Sequence, residues 1–308
     1  MDTKAADRET IARRPPAAPV QAIEPRDPRA LAAGLLTVTL WGSAFVAIRD
    51  AGHTLSPGAL TLGRLLVSSA ILGIAAAIWR QPLPGPRDLA RIAAFGLLFL
   101  GVYSVSLNAA ERRVDAGTAA MLINTGPIVI ALLAGLVLNE GFPRRLFSGG
   151  AVAFAGCVLI GLASSDAGPR AGIGIALLVL AALAYATAVV IQKSVLARAS
   201  PLQVTWLGCT AATVACLPFV PQLAIDLDGA GMAPIVWIVY LGVVPTALGF
   251  ATYAYALRRT SAGRLASLTY LIPVVATLLG WAVLGEAPPL LAAAGGALCI
   301  AGVALARR

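Results

Sequence analysis

The feature that most constrains the fold is an apolar segment that occurs twice. Residues 116–140 read AGTAAMLINTGPIVIALLAGLVLNE, and residues 262–286 read AGRLASLTYLIPVVATLLGWAVLGE. Without a gap, 11 of the 25 paired positions are identical, and they include Pro127 with Pro273. Each copy is an apolar stretch of membrane-spanning length with a proline near its middle. A duplicated, proline-broken membrane helix points to a transporter architecture.

Composition places the chain among polytopic membrane proteins. Of its 308 residues, 59% are hydrophobic and 12% are charged, against about 45–50% and about 25% in soluble domains. The net charge of +9 is compatible with nucleic-acid binding, but every Lys and Arg except Arg64 lies in a loop, a tail or a helix end. That placement is a topology signal. We therefore expect the lipid bilayer as surroundings and no nucleic-acid partner.

Ten apolar stretches follow a polar N-terminal segment. Residues 1–28 are rich in Pro, Arg and acidic residues, which predicts a disordered cytoplasmic tail. Each later stretch is within a few residues of the roughly 17–25 that cross a bilayer as a helix. The stretches are 30–48, 58–79, 92–110, 117–138, 146–163, 172–192, 202–221, 234–257, 265–284 and 289–306. The predicted fold class is an all-α polytopic membrane protein with ten transmembrane helices.

The distribution of Lys and Arg predicts the orientation. With a cytoplasmic N-terminus, 18 of these residues lie in inner segments and 4 in outer ones, so both termini are expected in the cytoplasm. Glycines that also recur at the 146-residue offset extend the repeat to two five-helix units, 29–164 and 165–308. Because five is odd, the units insert with opposite orientations. Inverted repeats are typical of alternating-access transporters.

These motifs resemble the EamA family of the drug/metabolite transporter superfamily. The resemblance is carried by Trp41-Gly42-Ser43-Ala44-Phe45 in the first helix, Gly63-Arg64-Leu65 in the second, and the two proline segments that end in glutamate. It covers nearly everything after residue 30. It implies two five-helix repeats and transport, most often outward, of amino acids, other small metabolites or toxic compounds. Tyr185 departs from the pattern, because many members carry a second Trp there.

The two prolines are expected to shape a central pocket. A proline inside a helix removes one N–H and leaves the carbonyl four residues earlier without its bond. In lipid such a carbonyl must face protein or a watery cavity. Because both copies keep the proline at the same position, we interpret Pro127 and Pro273 as pocket walls near the membrane midplane. An ordinary packing kink is the alternative.

Paired polar and aromatic residues accompany the prolines. Asn124 and Tyr270 each lie three residues before a proline, and Trp41 and Tyr185 occupy equivalent positions in the two halves. Aromatic rings with polar groups suit a site that stacks a substrate and hydrogen-bonds its polar end. Interhelical hydrogen bonds or packing are the alternative roles. The candidate substrate-binding residues are Trp41, Tyr103, Asn124, Pro127, Tyr185, Thr246, Tyr270, Pro273 and Arg64.

The charged residues near the helices have two interpretations. Arg64 is the only charge within an apolar stretch, so it either binds an anionic group of the substrate or bridges to a helix end, such as Asp115. Glu140 and Glu286 end their helices, where the dipole disfavours a carboxylate. We expect each glutamate to cap a following helix or pair across a loop, in a structural or gating role.

The function best matched by these features is a secondary transporter that exports small amphipathic metabolites. No Walker motif is present, His53 is the only histidine, and the four cysteines fit free thiols packed in apolar stretches, so no enzyme activity, cofactor or metal is expected. The alternative is a flippase-like lipid-handling protein, with Arg64 holding a head-group phosphate. Glycines of the fifth and tenth stretches are expected to form a scaffold or a homodimer face. The abundance of Ala and Arg indicates a GC-rich bacterial genome. We therefore expect the protein in the bacterial inner membrane.

Overall fold

Every regular element that the structure describes is helical. The computed structural model describes four ranges, 27–113, 122–162, 171–284 and 290–307. Within them there are no strands, which confirms the all-α class. The predicted tail 1–28 lies outside these ranges except for its last two residues. We label the helical segments in chain order as α1 (Pro28–Ala51), α2 (Pro57–Ile78), α3 (86–111), α4 (Gly126–Val137), α5 (Arg144–Leu162), α6 (Ala171–Leu196), α7 (Pro201–Leu227), α8 (Ala233–Arg259), α9 (262–284) and α10 (Leu290–Arg307).

Six of these segments are long and apolar enough to cross a membrane, judged by length and composition over the described residues. They are Pro57–Ile78, Pro86–Ala110, Gly172–Leu196, Pro201–Leu227, Ala233–Arg259 and Ala262–Leu279. Gly126–Val137 and Leu290–Ala306 are apolar but shorter. The chain is thus a helical protein with several candidate membrane spans, and the full set of ten crossings stays a prediction.

Proline and a capping side chain define several helix starts. The Asp27 carboxylate accepts a hydrogen bond of 2.8 Å from the Arg29 N–H at the start of α1. At α7, the Ser200 hydroxyl accepts from the Gln203 N–H while the Gln203 side chain accepts from the Ser200 N–H, which forms a capping box. The residue after each cap is proline, whose fixed φ and missing N–H suit the first helical position.

Helices from the two halves of the chain pack between one another. α1 contacts α8 and α9, and α6 makes the corresponding contacts with α3 and α4. Similarly, α2 contacts α8, and α7 contacts α3. Equivalent helices of the two halves also contact each other directly, in the pairs α2 with α7, α4 with α9, and α5 with α10. Each contact therefore has a counterpart when the first five segments are exchanged with the last five.

Glycines of α5 and α10 allow these two helices to pack closely against each other. A Cβ on Gly149 would lie 2.4 Å from the backbone N of Ala306, and one on Gly302 would lie 2.3 Å from the backbone N of Ala153. The two helices therefore approach backbone to backbone, as small residues allow in membranes. This contact supports the scaffold role for these glycines, whereas a homodimer face stays a prediction.

Both predicted proline kinks coincide with interruptions of the α-helix. Asn124 lies in a turn directly before α4, and α9 changes to a 3₁₀ turn over Thr269–Leu271 before it continues at Ile272. Pro127 and Pro273 follow these interruptions at the second position of the resumed helix. Asn124 and Tyr270 therefore lie within the interruptions themselves.

A feature that the sequence did not predict is a π-helical segment in the third helix of each half. It covers Gly96–Tyr103 in α3 and Gly242–Leu248 in α8, and the two first residues are 146 positions apart. Such segments are rare and occur frequently at functional sites. Both lie beside the aromatic residues described next.

Candidate functional site

Seven aromatic side chains from four helices form one connected group, which we call the aromatic cluster. Its members are Trp41 of α1, Phe95, Phe99 and Tyr103 of α3, Tyr185 of α6, and Phe250 and Tyr253 of α8. Phe99 is the centre, with ring centroids 4.8 Å from Tyr185, 4.8 Å from Phe250 and 5.4 Å from Tyr103. Both halves of the chain contribute to it. Three of the predicted site residues, Trp41, Tyr103 and Tyr185, are thus brought together.

Trp41 is held in place by stacking and by a hydrogen bond. Its ring stacks on that of Tyr253, with centroids 5.0 Å apart and planes 29° apart. Its Nε1–H donates to the backbone carbonyl of Pro245 at 3.1 Å, within the π-helical segment of α8. Gly249 gives the indole room, because a Cβ there would lie 2.8 Å from Nε1. The π-helical segment and the indole therefore position each other.

Three buried tyrosine hydroxyls lie in or beside this region. Among the described residues, the hydroxyls of Tyr185, Tyr253 and Tyr270 have no partner in hydrogen-bond geometry. The Tyr185 hydroxyl lies near those of Tyr253 and Thr269. A buried polar group without a partner costs about 1–3 kcal/mol. These hydroxyls therefore leave hydrogen-bonding capacity that a bound molecule or water can satisfy.

The proline segments lie beside the aromatic cluster. Tyr270 is 1% exposed and Asn124 is 8% exposed. Pro127 and Tyr270 line a crevice of about 210 Å³ between α4, α5 and α9. Pro273 is also buried. Both prolines are therefore buried beside the residues that precede them, and their role as pocket walls stays a prediction.

Thr246 and Arg64 already have hydrogen bonds inside the protein. The Thr246 hydroxyl donates at 2.6 Å to the Leu241 carbonyl five residues earlier, in the π-helical segment. An Arg64 Nη donates at 2.6 Å to the Ser104 hydroxyl, next to Tyr103 on α3. The sequence suggested Asp115 as a partner for Arg64, and that residue lies outside the described ranges. Arg64 is 9% exposed, so its charge is buried between helices.

Glu140 lies at one end of the molecule and caps α9. Its carboxylate accepts hydrogen bonds of 2.9 and 2.8 Å from the Ala262 N–H, and Gly263 N–H donates at 3.5 Å. The expected cap is therefore present, but on the helix of the other half rather than on α5. Lys193 of α6 binds the end of α8, the helix before α9. Its Nζ donates hydrogen bonds of 2.6 and 2.7 Å to the carbonyls of Leu257 and Thr260.

The two side chains hold opposite ends of one short connection. Glu140 complements the positive N-terminus of α9, and Lys193 complements the negative C-terminus of α8. We call this arrangement the α8–α9 clamp. Glu286, the predicted counterpart of Glu140, lies outside the described residues.

Several residues of the site were not selected from the sequence. Phe99, Phe250 and Tyr253 belong to the aromatic cluster, and Gln192 has a fully buried amide that, among the described residues, has no hydrogen-bond partner. Gln192 lies seven residues after Tyr185, two helical turns along the same face of α6. A polar residue near the end of an apolar span was the available signal for Gln192. Phe99 carried none, because an aromatic residue in an apolar stretch is ordinary.

Comparisons with known proteins identify relatives that are transporters. The model of the EamA-like transporter family matches residues 28–162 and again 172–308. A probable terminal-alkyne amino-acid exporter of Streptantibioticus cattleyicolor is 38% identical over 280 residues, which cover 91% of this chain and 94% of that protein. A probable amino-acid metabolite efflux pump of Salmonella typhimurium is 27% identical over 282 residues, with 87% and 91% covered.

A solved structure shares the fold. It aligns with a TM-score of 0.75 at 22% identity and covers 91% of this chain and 97% of the solved one. An uncharacterized transporter of Bacillus subtilis is 30% identical over 268 residues, 87% of each chain.

Proposed function

Because the chain belongs to the EamA-like transporter family, we propose that it exports amino acids or similar small amphipathic metabolites, with the aromatic cluster as the substrate site. The observation that carries this proposal is the set of three buried hydroxyls, on Tyr185, Tyr253 and Tyr270, beside a wall of aromatic rings. Rings accept an apolar side chain, and hydroxyls both donate to a carboxylate and accept from an ammonium group. The names of the two amino-acid exporters among the relatives support the same substrate class.

Each part of the cluster has a proposed role. The faces of Trp41 and Tyr253 that are not stacked on each other attract an ammonium group through cation–π interaction and pack on the aliphatic part of the substrate. The hydroxyls of Tyr185, Tyr253 and Tyr270 orient its polar end. Asn124, Thr246 and the two prolines shape the surrounding wall, and Arg64 fixes α2 against α3 through Ser104.

Alternating access is the proposed transport mechanism. The contacts between helices exchange in pairs between the two halves, as an inverted repeat requires. In this scheme the α8–α9 clamp closes the cytoplasmic side while its hydrogen bonds persist, and it opens when α4 or α6 moves away. Glu286 is the proposed counterpart on the outer side. The protein is proposed to span the bacterial inner membrane ten times, with both termini in the cytoplasm.

A transport assay with two neighbouring tyrosines tests the site. Tyr253→Phe removes one hydroxyl and keeps the ring, so we expect the KM for a transported amino acid in proteoliposomes to rise about tenfold, the loss of one hydrogen bond to a charged group. Tyr255→Phe is the matched control, because the Tyr255 ring lies 3.7 Å from the Arg259 guanidinium, away from the cluster. Leucine and a terminal-alkyne amino acid are suitable first substrates.

Two results would contradict the proposal. An unchanged KM for Tyr253→Phe would remove the hydroxyl from the site. Lipid scrambling by the reconstituted protein, with no flux of any amino acid, would favour the flippase alternative.

A further inference from the structure

The crevice between α4, α5 and α9 has a lining that suits a hydrocarbon chain. Pro127, Ala131, Leu146, Phe147 and Tyr270 are among the residues that line it. A volume of about 210 Å³ equals that of roughly seven water molecules in the liquid. Most of this lining is apolar, so the crevice favours a hydrocarbon chain over water.

The crevice opens to the surface along α5. Ala151, at its edge, is exposed. The neighbouring Gly150 faces empty space, since nothing lies within 4 Å of a Cβ built on it. The crevice therefore has open space beside α5, on a side where Ala151 reaches the surface of the molecule.

Positive charge lies at one end of this opening. Arg144 and Arg145 form the exposed first turn of α5, directly before the lining residues Leu146 and Phe147. Phe142 is 52% exposed and stacks on Phe147 with centroids 6.1 Å apart, an aromatic position typical of the membrane–water boundary. At about 1.5 Å per residue, Arg144 lies about 10 Å along the axis from the residues at the crevice edge.

Glu140 is near the same end, but its carboxylate is engaged. Its oxygens accept hydrogen bonds from the Ala262 and Gly263 backbone N–H groups. Its carboxylate therefore already has hydrogen bonds on the α9 side, and the basic groups on the α5 side are those of Arg144 and Arg145.

We infer that this crevice binds an anionic phospholipid, with a segment of one acyl chain inside it and the phosphate at Arg144 and Arg145. The order of groups along α5, charge first and then an apolar crevice, is the order of groups along such a lipid. On the predicted orientation the arginines face the cytoplasmic leaflet, whose anionic lipids attract basic residues near the surface. The crevice lies on the α5 side of Pro127 and Tyr270, two residues that it shares with the wall of the proposed substrate site, and the inference does not require lipid to be transported.

Native mass spectrometry of the delipidated full-length protein tests the two parts of the site separately. The probes are phosphatidylglycerol and phosphatidylcholine with identical acyl chains. We expect wild type to bind phosphatidylglycerol about tenfold more tightly. The double variant Arg144→Gln, Arg145→Gln loses this preference, whereas Arg87→Gln, an exposed arginine at the start of α3, keeps it.

Filling the crevice tests the acyl-chain half. Gly150→Leu is expected to weaken both lipids about tenfold, because it excludes several methylene groups from burial. Gly172→Leu on α6, where a Cβ also meets nothing within 4 Å, is the control and leaves binding unchanged. Equal binding by Gly150→Leu and wild type, or an unchanged preference in the double arginine variant, overturns the inference.

A measurement on wild type avoids any dependence on how the variants fold. Phosphatidylglycerol with a photoreactive diazirine on its acyl chain is expected to label residues 146–151. Labelling confined to other segments overturns the inference. Displacement of the lipid by a transported amino acid also overturns it and assigns the crevice to the substrate.

Discussion

Alanine at two adjacent glycines of α5 is expected to have opposite effects on stability. Gly149 and Gly150 share a helix, and each substitution gains the same helix propensity, about 1 kcal/mol. They differ in what the new methyl group meets. At Gly149 it would lie 2.4 Å from the Ala306 backbone N and 2.6 Å from the Gly302 backbone O, whereas at Gly150 it meets nothing within 4 Å.

The size of the effect follows from these distances. Carbon contacts are favourable from about 3.5 Å, so Gly149→Ala requires α5 and α10 to separate by about 1 Å. The obstructing atoms are backbone, and no side-chain rotation relieves the contact. Overpacking of this kind costs about 1–3 kcal/mol. Because the propensity gain is common to both variants, that cost is the difference expected between them.

Thermal melting in detergent, followed by fluorescence-detected size-exclusion chromatography, measures the difference. At about 2 °C per kcal/mol for a chain of this size, Gly149→Ala is expected to melt about 2–6 °C below Gly150→Ala. Gly150→Ala should melt at or slightly above wild type. If Gly149→Ala melts as high as Gly150→Ala, the close backbone contact between α5 and α10 does not exist in the protein.

Two further substitutions test buried polar contacts. Glu140→Gln weakens the charge-assisted cap on α9. We therefore expect amide hydrogen exchange in the α8–α9 connection to accelerate about tenfold, the equivalent of about 1.4 kcal/mol. Unchanged hydrogen exchange would contradict the α8–α9 clamp. Arg64→Gln removes the charged donor to the Ser104 hydroxyl, a loss of about 1.5–3 kcal/mol. The melting temperature is expected to fall by about 3–6 °C, with the KM for substrate unchanged. A raised KM at an unchanged melting temperature would assign Arg64 to substrate binding.

The sequence predicted the parts of the site that rest on periodicity and repetition. Pairing the two halves brought Trp41 and Tyr185 forward as equivalents, and both lie in the aromatic cluster. The prolines located the helix interruptions, because a missing N–H has a local and specific consequence. Asn124 and Tyr270 were found in this way, three residues before each proline.

What the sequence did not predict depends on contacts between distant segments. Phe99 is central only because α1, α6 and α8 surround it, and nothing in its own stretch of sequence indicates these contacts. Glu140 was expected to cap a helix, yet its partner Ala262 is 122 residues away. Gln192 and Lys193 lie at the end of one apolar span, where polarity alone does not separate a buried amide from a helix-capping ammonium.

The paired π-helical segments fix how far each third helix is rotated. An α-helix turns by about 100° per residue, and one π-helical turn contains an extra residue relative to an α-helical one. Every side chain beyond Gly96–Tyr103 therefore points about 100° away from where a continuous α-helix would aim it. Removing a single residue from that segment would turn Ser104 away from Arg64. Gly242–Leu248 is a second π-helical segment with the same effect on α8. The number of residues in α3 and in α8 therefore helps to determine which side chains of these helices face the aromatic cluster.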